Sequence, residues 1–342
     1  MAFSIIVTLV SFGIMVILHE AGHFFVAKSF RATVLEFSVG VGPLLGSFKK
    51  GGTQYSLRLF PLGGFVRFED DEGDISDPHG FYNLSPFKRI AILIAGPMVN
   101  VLLGFLCFVI ITASAGGVWT TEVMRVEEMS PAAEAGIMAG DTLVRLNNTK
   151  VDMRGDIELF MFDPPDSIKV TYMRDGKKHT CMLKPSESGK LGVVLGAKEA
   201  SAADVIKYSY YNTRYVVKAV FFSIRMLVTG GAGIRDLSGP VGIVKVVDET
   251  AQEAQASGIG AGYLFITLLN LFAMISVNLG VFNLLPIPAL DGGSIIFALL
   301  EKVTGKKQNP EILGYINLIG IVLIFGLGII IMGSDILHIF GR

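Results

Sequence analysis

The sequence predicts a polytopic α-helical membrane protein with about four transmembrane helices, a membrane-associated β-hairpin or small sheet, and an inserted β-rich domain. Three observations carry that reading. Hydrophobic residues fill 51% of the 342 positions and charged residues only 17%, with a mean hydropathy of +0.57, which is too apolar for a water-soluble globule. Four stretches are long and apolar enough to cross a bilayer. Between the second and third lies a run of short alternating segments punctuated by turns, the pattern of β-rich soluble sequence.

The first candidate span runs from about Phe3 to Val26. It has no basic n-region and no small-residue cleavage site, so it reads as a retained helix and not a signal peptide. The loop after it holds VLEFSVGVGPLLGSF and TQYSLRLFPLGGFVRF, rich in glycine, β-branched and aromatic residues, as strands are. The acidic stretch FEDDEGDISDPHG, residues 68–80, reads as a solvated loop. The second span covers Ile90 to about Ala115. From Val118 to Gly196 the runs TLVRLNN, SIKVTYM and HTCMLK, with a turn at Asp175-Gly176, predict a small β-rich domain. Ala202–Thr229 mixes tyrosines and aliphatics with Lys207, Arg214, Lys218 and Arg225, which is the pattern of a helix lying at the interface and not crossing it. The third span starts near Tyr263 and ends near Phe282, and the fourth covers Ile312 to Met332.

The chain therefore divides into a first transmembrane helix (1–30), a cytoplasmic-side loop with the hairpin (31–86), a second helix (87–116), the β-rich domain (117–198), an amphipathic helix with its connection (199–258), a third helix (259–303) and a fourth helix with the C-terminus (304–342). Orientation follows from basic residues. Lys28, Arg31, Lys49, Lys50, Arg58, Arg67, Lys88 and Arg89 lie between spans one and two, and Lys302, Lys306 and Lys307 precede span four. Both loops belong in the cytoplasm, which puts the termini and the β-rich domain outside. A net charge of −1 gives no footing for bulk nucleic-acid binding. Cys107 lies in an apolar run and Cys181 in the soluble segment, so neither a disulfide nor a cysteine metal site is expected.

The stretch ILHEAGHFF, residues 17–25, breaks the pattern of the first span. Ionisable groups inside a membrane are costly, so they mark a functional site by default. Residues i and i+4 share one helical face, so His19 and His23 can reach one metal, with Glu20 offset to act as general base. A zinc ion at two imidazoles and one carboxylate keeps a position open for water. The third ligand is not local. Glu36 is too near and lies in strand-like sequence, and Val26 and Ser29 stand where a metzincin extension would need glycine and histidine. His79, His179 and His338 read as ordinary surface residues. Asp291, in FNLLPIPALDGGSIIFALL, is the one carboxylate between Glu253 and Glu301. Pro286 and Pro288 interrupt the helix beside it, and Gly292 and Gly293 allow close backbone approach. A helix-capping aspartate is the competing reading. His19 and Asp291 reach the same membrane face only if no span, or two, lies between residues 115 and 262, which argues that Ala202–Thr229 does not cross.

HEAGH at 19–23 and NLLPIPALDGG at 283–293 resemble the site-2 protease family of intramembrane zinc metalloproteases, and within it the bacterial regulator-of-sigma-E protease type. FSVGVGP (37–43), FPLGGFVRF (60–68), AGPMVN (95–100) and LSGPVGI (237–243) look like further blocks of that type, so the resemblance covers most of the chain. Position 294 carries serine where relatives often carry histidine. The resemblance implies Zn2+ held by His19, His23 and Asp291, Glu20 as general base and acid, and Asn283 holding the substrate backbone. It implies that the hairpin around Gly63, Gly64 and Phe65 pairs with an extended substrate. SPAAEAGIMAGDTLVRLNNTKV (130–151) is similar to a PDZ domain, with Leu191, Gly192 and Val193 in its carboxylate-binding strand. One such domain fits here, whereas some relatives carry two. The expected function is hydrolysis of a peptide bond in or near the span of a single-span membrane protein, an anti-sigma factor or a signal-peptide remnant, at the inner membrane of a bacterium. A zinc or proton transporter would show repeated broken helices, and a PDZ scaffold would leave Glu20 unexplained.

Overall fold

A computed structural model describes residues 2–68, 77–186, 189–233, 239–256, 261–306 and 310–340. Most of the acidic stretch expected as a solvated loop (69–76), Lys307, and the first two residues of the LSGPVGI block (237–238) lie outside the described residues. The chain divides into two units, residues 1–104 with 220–342, and residues 105–219.

In the first unit, α1 (Ala2–Ser29) leads to two long strands, β1 (Val34–Lys50) and β2 (Thr53–Phe68), and then to α2 (Pro86–Ala115). Proline opens α2, where its missing N–H costs nothing. The same unit holds α6 (Pro240–Ala256), α7 (Ala261–Asn283), α8 (Asp291–Thr304) and α9 (Pro310–Phe340). Among the described residues, four helices are long and apolar enough to cross a membrane, with bounds Phe3–Ser29, Pro86–Ala115, Ala261–Asn283 and Ile312–Asp335. Small residues let these helices close up. A Cβ added to Gly22 of α1 would lie 2.7 Å from the Ala95 carbonyl of α2, and one on Gly280 of α7 would lie 2.7 Å from the Pro97 carbonyl.

Strands β1 and β2 are bent, so each pairs more than once. Residues 34–39 pair with 64–68 on one side and with 54–57 on the other, and 53–57 pair in turn with 46–50. Two strands thus make a sheet four segments wide, with 64–68 along one edge. The bend falls at Gly40, whose φ of +83° suits glycine and where a Cβ would meet the Phe60 carbonyl at 2.7 Å. The inner half is buried. It carries Glu36, held by Arg58 at 2.8 Å and Arg67 at 3.4 Å. The outer half exposes Val41, Leu44, Leu45, Phe48, Leu57, Leu59 and Phe60.

Helix α7 stops at Asn283, close to the expected end of the third span near Phe282, so the LDGG motif within segment 259–303 lies beyond that helix. Pro286 and Pro288 cannot extend it. Ala289 turns at φ +73°, its N–H donates to Asn317 Oδ1 of α9 at 3.2 Å, and Asp291 opens the separate helix α8. Helix α6, read only as a connection, packs on α1, α7 and α9. Asp335, buried in α9, accepts from the Gly239 and Gly242 amides at the start of α6, at 3.0 and 2.9 Å, so its charge satisfies the free N–H groups there.

In the second unit, β3 (Gly117–Val126), β4 (Thr142–Leu146), β6 (Ile168–Arg174), β7 (Lys177–Leu183) and β8 (Val193–Glu199) form a sheet of order β7-β6-β4-β3-β8. A short β5 (Thr149–Lys150) pairs with β4. Two short helices, α3 (Pro131–Glu134) and α4 (Arg154–Phe160), accompany it. Val123, Leu143, Leu146, Ile168 and Val170 form the core. Helix α5 (Ala202–Thr229) is not among the four apolar spans. Two of its basic residues do not point to lipid: Arg214 pairs with Asp152, and Lys218 meets Asp156 at 2.6 Å. Asp141 is almost wholly buried, and Arg174 grips it through two hydrogen bonds of 2.7 Å.

Burial alone would push the Asp141 carboxyl up, but the Arg174 hydrogen bonds and the Met138 amide outweigh it and hold the pKa below its ordinary value of 3.8. The stability this contributes is therefore complete above pH 3.8 and fades as pH falls through the lower folded-state value. Replacing Arg174 by Met leaves the Asp141 carboxylate without its partner and is expected to lower stability. Urea unfolding of the detergent-solubilised chain, followed through its single tryptophan, Trp119, checks this at pH 7. The deficit should shrink as pH falls below 3.8.

Candidate metal centre

His19 and His23 lie one turn apart on α1, both buried, with their Nε2 atoms 3.1 Å from each other. Asp291, the first residue of α8, brings its Oδ2 to 3.2 Å from His19 Nε2 and 3.5 Å from His23 Nε2. One ligand atom from each residue falls within 4.8 Å of the others. The broken backbone at 284–290 makes this meeting possible, because the chain turns back after α7 and delivers the start of α8 to α1. Gly292 and Gly293 are needed there. A Cβ on either would strike the Leu285 or Ile287 carbonyl.

Helix α2 sets the rings. The His23 Nδ1 lies 2.8 Å from the Ile92 carbonyl. A carbonyl only accepts, so Nδ1 carries the proton and Nε2 turns its lone pair to the cluster. Gly96 lies under the same ring, and a Cβ there would overlap His23 Nε2. Asn100 of α2, fully buried, places its amide nitrogen 3.3 Å from His19 Nδ1. Glu20 is beside the cluster, its carboxylate accepting from the Val66 amide of β2. A Cβ on Gly64 would come within 3.2 Å of Glu20 Cγ.

His19, Glu20, His23 and Asp291 line one cavity of about 410 Å³ with Phe65, Asn283 and Tyr82. His19, Glu20, His23, Asp291, Asn283 and Phe65 thus come together, with Gly64 pressed against Glu20. Gly63 is not in the lining. Its φ of +130° bends β2, and a Cβ there would touch Val41. Leu191, Gly192 and Val193 belong to the second unit, where they line a groove of about 490 Å³ with Trp119, Arg154, Ile157 and Leu195. His79 and His179 are exposed. The Ile92 carbonyl, Gly96 and Asn100 were missed as site groups in the sequence reading, although two of them sit in the AGPMVN block.

Two imidazoles and one carboxylate, buried and converging, form a nitrogen–oxygen donor set that suits zinc and leaves coordination incomplete. With a carboxylate one residue from the first histidine, this is the centre of a metallopeptidase set within a helical membrane protein. The chain belongs to peptidase family M50, whose model matches residues 7–327. It is similar to a protein of Clostridium acetobutylicum named as a candidate zinc metalloprotease, 38% identical with 98% of each chain covered. Similarly named proteins of Clostridium perfringens and Fusobacterium nucleatum are 32% identical, covering 97% of this chain and 98% of the relative, and 31% identical, covering 98% and 99%.

Gly96→Ala should drive a methyl group into the His23 ring. Bound metal per purified chain, measured by elemental analysis, is expected to fall about tenfold or more. Gly314→Ala, at an open position on α9, should leave it unchanged.

Proposed function

We propose that the chain is an intramembrane-cleaving zinc metalloendopeptidase of the site-2 protease type, with His19, His23 and Asp291 as the zinc ligands. The observation that carries this reading is their convergence with Glu20 in one buried cavity. Zinc, when bound, supplies a Lewis acid that polarises the scissile carbonyl and acidifies water. Glu20 is placed to take a proton from the attacking water and return it to the leaving amine. The Val66 amide orients its carboxylate.

A substrate helix hides its carbonyls in its own hydrogen bonds and must unwind before attack. Segment 64–68 offers replacement bonds. It pairs with 34–39 on one side and has no further strand on the other among the described residues. Strand addition there would lay an extended peptide beside Glu20. Asn283, at the end of α7 and in the cavity lining, is the candidate to hold the substrate backbone, with Gly63, Gly64 and Phe65 shaping the edge. The apolar outer half of β1 and β2 supports a sheet that dips into lipid.

The second unit is read as a single PDZ domain whose groove along Leu191, Gly192 and Val193 admits substrates shortened by an earlier cut. Substrates would be single-span membrane proteins, an anti-sigma factor or signal-peptide remnants, in the bacterial inner membrane. The basic loops support an orientation with the active site toward the cytoplasm and the termini and β-rich domain outside.

Glu20→Gln is expected to keep bound zinc but lower cleavage of a tagged single-span substrate in detergent by about 10² to 10⁴-fold. Cleavage equal to the parent would sink the protease mechanism. Asp291→Ala should lower zinc content, and unchanged stoichiometry would remove Asp291 from the ligand set.

A further inference from the structure

The carboxamide of Asn100 is the most deeply buried polar side chain beside the metal cluster, with no exposed surface. Its amide nitrogen faces His19 Nδ1 at 3.3 Å, while its Oδ1 is buried and has no hydrogen-bond partner among the described residues. The backbone around it is held firmly. Ser276 of α7 donates to the Asn100 carbonyl at 2.8 Å, and Gly280 lies against the Pro97 carbonyl. The side chain is thus fixed in position with one polar end unused.

The two cluster histidines are not oriented alike. His23 donates its Nδ1–H to a fixed carbonyl, so in the neutral ring its Nε2 is the acceptor. His19 faces a group that can act in either sense. When the Asn100 NH2 donates to Nδ1, the His19 proton sits on Nε2 and points at Asp291 and His23, and the ring cannot ligate through that atom. A half-turn of the carboxamide exchanges its oxygen and nitrogen, which are close to the same size. Oδ1 then accepts from Nδ1–H, and Nε2 presents a lone pair toward Asp291, as His23 already does.

We propose that Asn100 is a positioning residue that selects the metal-ligating tautomer of His19 by accepting its Nδ1 proton through Oδ1. The role rests on the zinc reading of the cluster. It assigns to α2 control of both rings: a fixed backbone carbonyl for His23 and a reversible side-chain amide for His19. It also gives a use to a carboxamide buried deep in an apolar span, where an idle polar group is expensive.

Zinc affinity by competition with a chromophoric chelator tests this on the full detergent-solubilised chain, with thermal unfolding to establish that each variant is folded. Asn100→Leu keeps the shape but loses the acceptor, and the expected loss is about 10 to 100-fold. Asn100→Asp can only accept, and its affinity should stay within about threefold of the parent. If the leucine variant does not fold, Asn100→Ala takes its place in the comparison. Parental affinity in Asn100→Leu would overturn the assignment. So would an Asn100→Asp affinity as weak as that of leucine, because packing and not the acceptor would then matter. A parent chain that binds no zinc would instead sink the zinc reading itself.

Discussion

Ionisable groups held in a low-dielectric membrane interior must find partners or lose their charge. His19, His23 and Asp291 meet that constraint together, since their ligand atoms stand within 4.8 Å of one another. Much of the first unit can be read as its consequence. Gly22 lets α2 close on α1, so that Ile92, Gly96 and Asn100 reach the two rings. Gly280 brings α7 onto the same face of α2, and the turn after Asn283 returns Asp291 to the cluster. A bulkier residue at any of these contacts would separate groups that are stable only in company.

The strand segments answer a different requirement. A helical centre alone offers an unwound peptide no backbone partners, because its own N–H and C=O groups are already paired. The bent pairing of β1 and β2 leaves segment 64–68 as an edge, with Phe65 in the cavity wall and Val66 bonded to Glu20. Edges of this kind are usually protected because they recruit other strands. Here one lies against the base that would act on a recruited strand.

Much of this was legible in the sequence, because hydropathy and helical spacing are local signals. The four spans, the shared face of His19 and His23 and the oddity of Asp291 all follow from them. Long-range geometry was less visible. The prolines marked a break after Asn283 and Asp291 could be read as a helix-capping residue, yet nothing local showed that it could start a helix and also join the cluster. Helix α6 lacks the sustained apolar character of a span and was passed over, although Asp335 and three neighbouring helices fix it. Arg214 and Lys218 looked like headgroup ligands because their partners, Asp152 and Asp156, lie some 62 residues away. Asn100 and Gly96 carry no chemical alarm of their own, and their role appears only when α2 lies against α1.

X-ray absorption at the zinc edge of the purified, detergent-solubilised chain tests the ligand set most directly. Two imidazole nitrogens and a carboxylate oxygen are expected at about 2.0 to 2.2 Å, with no sulfur shell. A sulfur shell near ~2.3 Å, or fewer than two imidazoles, would contradict a centre built from His19, His23 and Asp291.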